Sequence, residues 1–255
     1  MIVLGLDTAT LASAVGLRLA DGSIFRVRDE PGAGDRPGHA TRLLAMAGEL
    51  LAAAGVNWSE LDRIAVGLGP GRFTGLRVGV ATARGLAQSL QLEIVGVSSL
   101  RALAHAARAE QGQGQGVLAV IDALRGEAFA GAYPGDDELP NRQAMTRELV
   151  FEQPLAPDDL EGVLARIEER GEPPGQRWLA VGDGALRFRA ELQAAGASVA
   201  DEDSPLHLVD GGAVCELGAS TPAAGAHEQI LPDYRRTPDA ALSRERAVTL
   251  EGART

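Results

Sequence analysis

The apolar positions along the chain fall first into short runs and then into helical spacing. Residues 2–6 are an apolar run, residues 13–19 alternate small or apolar with polar side chains, and residues 23–28 follow the turn pair Asp21-Gly22. This pattern predicts three consecutive strands. The stretch "DEPGAGDRPG" at 29–38 is too rich in Gly, Pro and Asp for anything but an exposed loop. In residues 40–54 the apolar Leu43, Leu44, Ala47, Leu50 and Leu51 recur at helical spacing, and Gly55 supplies a stop. A strand at 63–68, a helix at 76–90, a strand at 94–97 and a serine-capped helix at 98–109 follow. An antiparallel ribbon leading into parallel crossovers is the expected result.

"QGQGQG" at 111–116 reads as a connector between lobes. Beyond it, "VLAVIDALRGEAFAGAY" at 117–133 repeats the plan of "IVLGLDTATLASAVGL" at 2–17: an apolar strand ending in Asp, a tight turn, and a second strand. Asp7 and Asp122 occupy matching places, which suggests a duplicated, two-lobed α/β architecture. Later segments predict a strand at 142–150, a helix at 157–170, the Pro-rich linker "GEPPG", a strand at 178–182, and helices at 185–195 and 207–218.

Composition narrows the classes. At 255 residues with 45% hydrophobic and 23% charged content, the chain is expected to be globular. No apolar run reaches the roughly 18 to 20 residues of a membrane span, and no export signal is visible. The single cysteine, Cys215, agrees with a reducing cytoplasm and reads as a buried small apolar residue. The formal charge is −11 and every one of the 24 basic residues is Arg. Such a chain is a poor candidate for gripping nucleic acid alone. Arg235, Arg236, Arg244 and Arg246 cluster near the C-terminus and read first as a solvated tail.

The glycine-rich turn inside "GLGPGRFTGLRVGVATARGLA" raises the question of phosphate binding. Backbone N–H groups at 71–74, aimed from a helix N-terminus, would make an anion nest. Without any Lys it is not a P-loop. An actin-type nucleotide site would need both Asp turns, yet Arg125 and Glu127 crowd the second. A tight turn needing glycine for its backbone angles is therefore the first reading, with Asp7, Thr8, Gly69, Gly71, Arg72 and Thr74 as candidate vestigial phosphate or nucleotide positions. His39, His207 and His227 stand singly, with no partner one helical turn away, and read as surface or capping residues.

The helix launched by this turn carries Gly75, Gly79, Ala83 and Ala87 at every fourth residue, a stripe of small side chains beside Leu76, Val80 and Leu90. Small stripes let a second helix approach closer than the usual separation of roughly 8–10 Å between axes. The helix at 40–54 has its own face of small and leucine residues. One face of each helix packs on its own sheet, but the apolar content extends beyond that arc, which predicts a partner surface. The expected interface comprises Leu43, Met46, Ala47, Leu50 and Ala54 with Leu76, Gly79, Val80, Ala83 and Ala87.

"GLDTAT", "GPGRFTGLRVGVATARGLA", "VGVSSL", "IDALRGEAFAGAY" and "PDYRR" together resemble the TsaB family, formerly called YeaZ, over nearly the whole chain. The resemblance implies an actin-like, Hsp70-like fold of two lobes, residues 1–110 with about 204–255 in one and 117–203 in the smaller other. It implies a non-catalytic dimerization subunit that pairs with TsaD, joined by the ATPase TsaE, in making threonylcarbamoyladenosine next to the anticodon of tRNAs that read codons beginning with A. On that basis no catalytic residue, metal or cofactor is expected. The same helices would form a homodimer when TsaD is absent, and tRNA would be met only within the complex, in the cytoplasm and off the membrane. TsaD-like relatives bind a metal through an N-H-x-x-x-H helix. Here "VGVSSLRALAH" puts Ser99 and Leu103 at the ligand positions, with His105 two residues too late. Arg72 stands where the family's loop has a small serine. An actin-like ATPase or phosphotransferase, and a metallopeptidase homologue, are the alternatives.

Overall fold

A strand buried along its whole length belongs at the centre of a covered sheet, and the first strand, β1 (Val3–Asp7), is buried at every position. The computed structural model describes residues 1–32, 34–111, 114–135, 149–151, 153–169, 177–222 and 229–235. β1 pairs antiparallel with β2 (Ser13–Arg18), which pairs antiparallel with β3 (Ile24–Asp29). On its other side β1 runs parallel to β4 (Arg63–Gly69), and β4 parallel to β5 (Glu93–Ser98). The crossovers are α1 (His39–Ala54) and α2 (Phe73–Leu90), and α3 (Ser99–Gln111) leads on to the second sheet.

That sheet repeats the plan. β6 (Gly116–Leu124) pairs antiparallel with β7 (Glu127–Tyr133) and parallel with β9 (Trp178–Val181); β7 pairs antiparallel with β8 (Leu149–Val150), and β9 parallel with β10 (Ser198–Val199). The order β8-β7-β6-β9-β10 matches β3-β2-β1-β4-β5 in every pairing sense. The two Asp-turn segments are thus equivalent hairpins.

Alternation along the strands sorts the core into layers. Leu4, Leu6, Ile64 and Val66 face α1 and α2, while Val3, Ala65 and Val95 face the opposite way and join α3 and α8 (Gly211–Ser220). Val117, Ala119 and Ile121 of β6 meet that same middle layer, and Leu118 and Val120 face the outer helices of the second sheet.

Several predicted boundaries move for local reasons. The helix expected at 157–170 is interrupted at Gly162 into α4 (Pro157–Glu161) and α5 (Val163–Glu168). The one expected at 185–195 begins at Asp183 and divides at Phe188 into α6 (Asp183–Arg187) and α7 (Arg189–Ala194). The helix expected at 207–218 starts only at Gly211, because the Asp210 side chain accepts from Ala213 N at 2.9 Å and caps it there; Pro205–His207 is a separate 3-10 turn. α2 begins three residues before the expected Leu76. Most of the strand expected at 142–150, the linker "GEPPG", His227, Arg236, Arg244 and Arg246 lie outside the described residues.

Candidate functional site

The end of β1 and the start of α2 are locked together. Asp7 Oδ2 accepts from Ser99 Oγ at 2.6 Å and Oδ1 from Ala9 N at 2.8 Å. Burial pushes its carboxyl up to about 6, with these two hydrogen bonds pulling the other way. Thr8 Oγ1 donates to Gly75 O at 2.8 Å, and Arg72 N donates to Ala9 O at 2.7 Å. The turn reading holds at Gly69, whose φ of +99° suits glycine alone. Gly75 and Gly79 serve a different need: a Cβ on Gly79 would sit 2.2 Å from Thr8 Oγ1, and one on Gly75 2.2 Å from Thr8 O. The small residues at these positions let α2 close on the β1–β2 turn.

This corrects the expected interface. Leu43, Met46, Ala47, Leu50, Leu76, Gly79, Val80, Ala83 and Ala87 are buried within the chain itself, and Ala54 is half-buried. Both helices spend that face on their own sheet and on each other. The face turned to solvent is the neighbouring one: Leu44, 50% exposed, with Ala45 and Ala52 on α1, and Ala81 and Gly85 on α2, flanked by half-buried Val78 and Leu86. Gly48 and Gly85 lie along it, and an added Cβ at either meets nothing within 4 Å.

A cavity of about 780 Å³ opens where the starts of α1 and α2, the β6–β7 turn and residues 234–235 meet. Of the candidate phosphate positions, Gly71, Arg72 and Thr74 line it, whereas Asp7, Thr8 and Gly69 are buried behind the turn and do not. Across the cavity the turn puts Leu124 and Arg125 at φ of +65° and +56°. Asp122 is gripped by Arg187 Nη1, 3.1 Å from Oδ1 and 2.9 Å from Oδ2, and its N–H donates to Asp183 Oδ1 at 3.0 Å. Burial pushes the Asp183 carboxyl up to about 6. Sequence reasoning missed Asp183, although "VGDG" closing an apolar strand is the same strand-Gly-Asp signal that marks a turn at a sheet end.

At the rim, Arg77 lies 3.8 Å over the Phe73 ring and donates from Nε to Tyr234 Oη at 3.0 Å, and the Phe73 and Tyr234 rings are 5.0 Å apart. Asp233 N donates to Leu68 O at 2.7 Å, so residues 230–235 are strapped along this edge. Arg235 is no solvated tail residue, since it pairs with Asp233 at 2.6 Å and donates to Phe151 O at 3.0 Å.

Of the isolated histidines, His39 and His207 are not surface residues. His39 is 5% exposed with Nδ1 at 2.8 Å from Ser13 Oγ, and burial lowers its pKa. His207 is 3% exposed, its ring nitrogens facing Gly182 O at 3.0 Å and Asp201 O at 2.9 Å. Each found a backbone or hydroxyl partner that spacing does not show. His105 pairs with Glu216 at 2.9 Å and holds that carboxyl below its usual range. Ser99 is taken up by Asp7, and Leu103 is core. Among the described residues no three His, Cys, Asp or Glu side chains gather as metal ligands. Cys215 is buried, its thiol pushed up to about 12 by burial.

A model of the family described as "TsaD: tRNA N6-adenosine threonylcarbamoyltransferase" matches residues 36–145. The tRNA threonylcarbamoyladenosine biosynthesis protein TsaB of Escherichia coli (strain K12) is 36% identical over 140 residues, 54% of this chain and 57% of that protein. The chain spans about half the length of the curated relatives it matches. The solved structure of YeaZ from Pseudomonas aeruginosa superposes with a TM-score of 0.67 at 30% identity, covering 91% of this chain and 100% of that one. ROK hexokinase from Thermus thermophilus aligns at a TM-score of 0.50 and 16% identity, over 86% of this chain and 100% of that one. With the duplicated sheets, that likeness defines the class as a two-lobed α/β protein of the actin-like ATPase fold. Within the class the chain belongs to the TsaB family, also called YeaZ. No helix among the described residues is long and apolar enough to cross a membrane.

Proposed function

We propose that the chain is a partner subunit in tRNA threonylcarbamoyladenosine formation, docking a TsaD-type subunit through the outward face of α1 and α2 and supporting its threonylcarbamoyl transfer to the adenosine beside the anticodon. A TsaE-type ATPase joins this pair in the cytoplasm, tRNA is met through the assembly, and the same face closes a homodimer when TsaD is absent. The chain itself supplies no catalytic group. Family membership supports this reading, and one structural observation carries it: Gly48 and Gly85 sit inside helices on the side turned away from the core, where their own fold does not require them. Glycine in a helix interior costs about 0.5–1 kcal/mol relative to Ala, a cost that close approach by another helix offsets. A shared face makes the two assemblies mutually exclusive. By binding one arrangement of TsaD better than another, the subunit biases TsaD toward activity. Capture of the TsaD-type subunit from the same genome, followed by a threonylcarbamoyl-transfer assay with and without this chain, tests the reading; transfer at equal rate without it overturns the supporting role.

A further inference from the structure

The cleft holds a charge balance opposite to that of the whole molecule. The chain has 35 acidic residues against 24 basic ones, yet the cavity is lined by Arg36, Arg72, Arg125 and Arg235 and by the single acid Asp122. That acid is already engaged by Arg187. Both α1 and α2 open onto the cavity, and neither has an acidic residue in its first turn or a side-chain cap, so their positive ends add to the arginines. Arg72 Nε is sealed from solvent and has no hydrogen-bond partner among the described residues. That nitrogen is itself out of an anion's reach, and it is the rest of the half-buried Arg72 side chain that lines the cavity. The backbone of Arg72 is fixed by its bond to Ala9 O, which anchors this side chain at the cavity wall.

We propose that this cleft binds a small phosphate-type polyanion without a metal ion. Guanidinium groups match phosphoryl oxygens in paired hydrogen bonds and stay charged at any working pH. A magnesium-bridged phosphate instead needs carboxylate oxygens facing it. Here Asp122 is held by Arg187, and Asp7 is closed off behind the Thr8 turn in its bonds to Ser99 and Ala9. Arg235 keeps its ion pair with Asp233 and contributes as part of that strap, while Arg36 and Arg72 meet the anion from the α1 and α2 sides. The inference goes beyond partner docking and does not depend on it.

The test is calorimetric titration of the isolated full chain with sodium pyrophosphate in EDTA at low ionic strength, with ADP and adenosine as parallel arms. The expected result is saturable binding in EDTA. Arg72→Gln is expected to weaken it about tenfold or more and Arg36→Gln, in an exposed loop, severalfold, whereas Arg28→Gln outside the cleft leaves it unchanged. Unaltered melting of Arg36→Gln separates lost binding from lost folding. ADP binding tighter than pyrophosphate assigns the site to nucleotide phosphates, and the reverse order to free phosphate. Absence of saturable heat, a requirement for magnesium, equal binding by Arg72→Gln, or adenosine binding as tightly as ADP overturns the proposal. Each of these failures leaves TsaD capture untouched.

Discussion

Ala83 and Ala81 lie two residues apart on α2 with the same side chain and opposite surroundings. Ala83 is 0% exposed and belongs to the core shared by α1, α2 and the first sheet, while Ala81 faces solvent. Glu at position 83 places a carboxylate without a partner in that core. A buried, uncompensated charge costs about 3–5 kcal/mol. For a chain of 255 residues each kcal/mol moves the melting temperature by about 2–4 °C, so Ala83→Glu is expected to melt about 6–20 °C below wild type. Ala81→Glu leaves the carboxylate in water and is expected to stay within about 0.5 kcal/mol, or about 2 °C. In the proposed complex the order of effects is expected to reverse. A carboxylate at position 81 would crowd the proposed close helix contact, and a loss of about 1.4–2.8 kcal/mol there is a 10- to 100-fold weaker association with the TsaD-type subunit. Thermal melts read the first quantity, and titration of the purified partner the second. A near wild-type melt for Ala83→Glu refutes the orientation of α2. A normally folded Ala81→Glu that holds TsaD with unchanged affinity refutes the docking face. Only position 81 probes that face, because failure of Ala83→Glu to bind would report its unfolding.

Gly85→Ala is expected to raise the stability of the isolated chain by about 0.5–1 kcal/mol, since its Cβ enters open space, and to weaken partner binding; chemical denaturation and titration read the two effects. Asp7 has its folded-state pKa raised to about 6, so the stability it contributes when protonated is present below about pH 4 and is lost as pH rises through about 6, some 3 kcal/mol in all. Asp7→Asn does not ionise, so its stability relative to wild type should climb between about pH 4 and 6 and level off above; a difference flat across that window contradicts the burial argument. Cys215, buried with its thiol pushed up to about 12, should resist maleimide in the native chain and react fully in denaturant. Rapid native labelling would show that α8 is not seated on β1.

The elements nearest in sequence were the most legible. An apolar run, an alternating stretch and the turn pair Asp21-Gly22 mark β1 to β3, leucine spacing marks α1, and the Asp-turn hairpin repeated at Asp122 points to the duplicated sheets, because each signal lies within about 20 residues. The face assignment of α1 and α2 was not legible, and the reason is chemical. Ala and Gly are compatible with a close intramolecular contact and with a close intermolecular one, so a stripe such as Gly75, Gly79 and Ala83 carries no sign of which it serves. The deciding quantity is the approach of α2 to Thr8, a residue more than 60 positions earlier. The cleft arginines were hidden for the same reason: Arg72 stood out as a departure in a loop, but its convergence with Arg36, Arg125 and Arg235 exists only after folding. Glycines on one helix therefore divide by distance. Gly75 and Gly79 are there because Thr8 leaves no room for a Cβ, whereas Gly85 has room to spare and keeps a smooth outer surface. A helix that bears both kinds is fixed to its own fold on one side and, on the proposed reading, offers the other to a second chain.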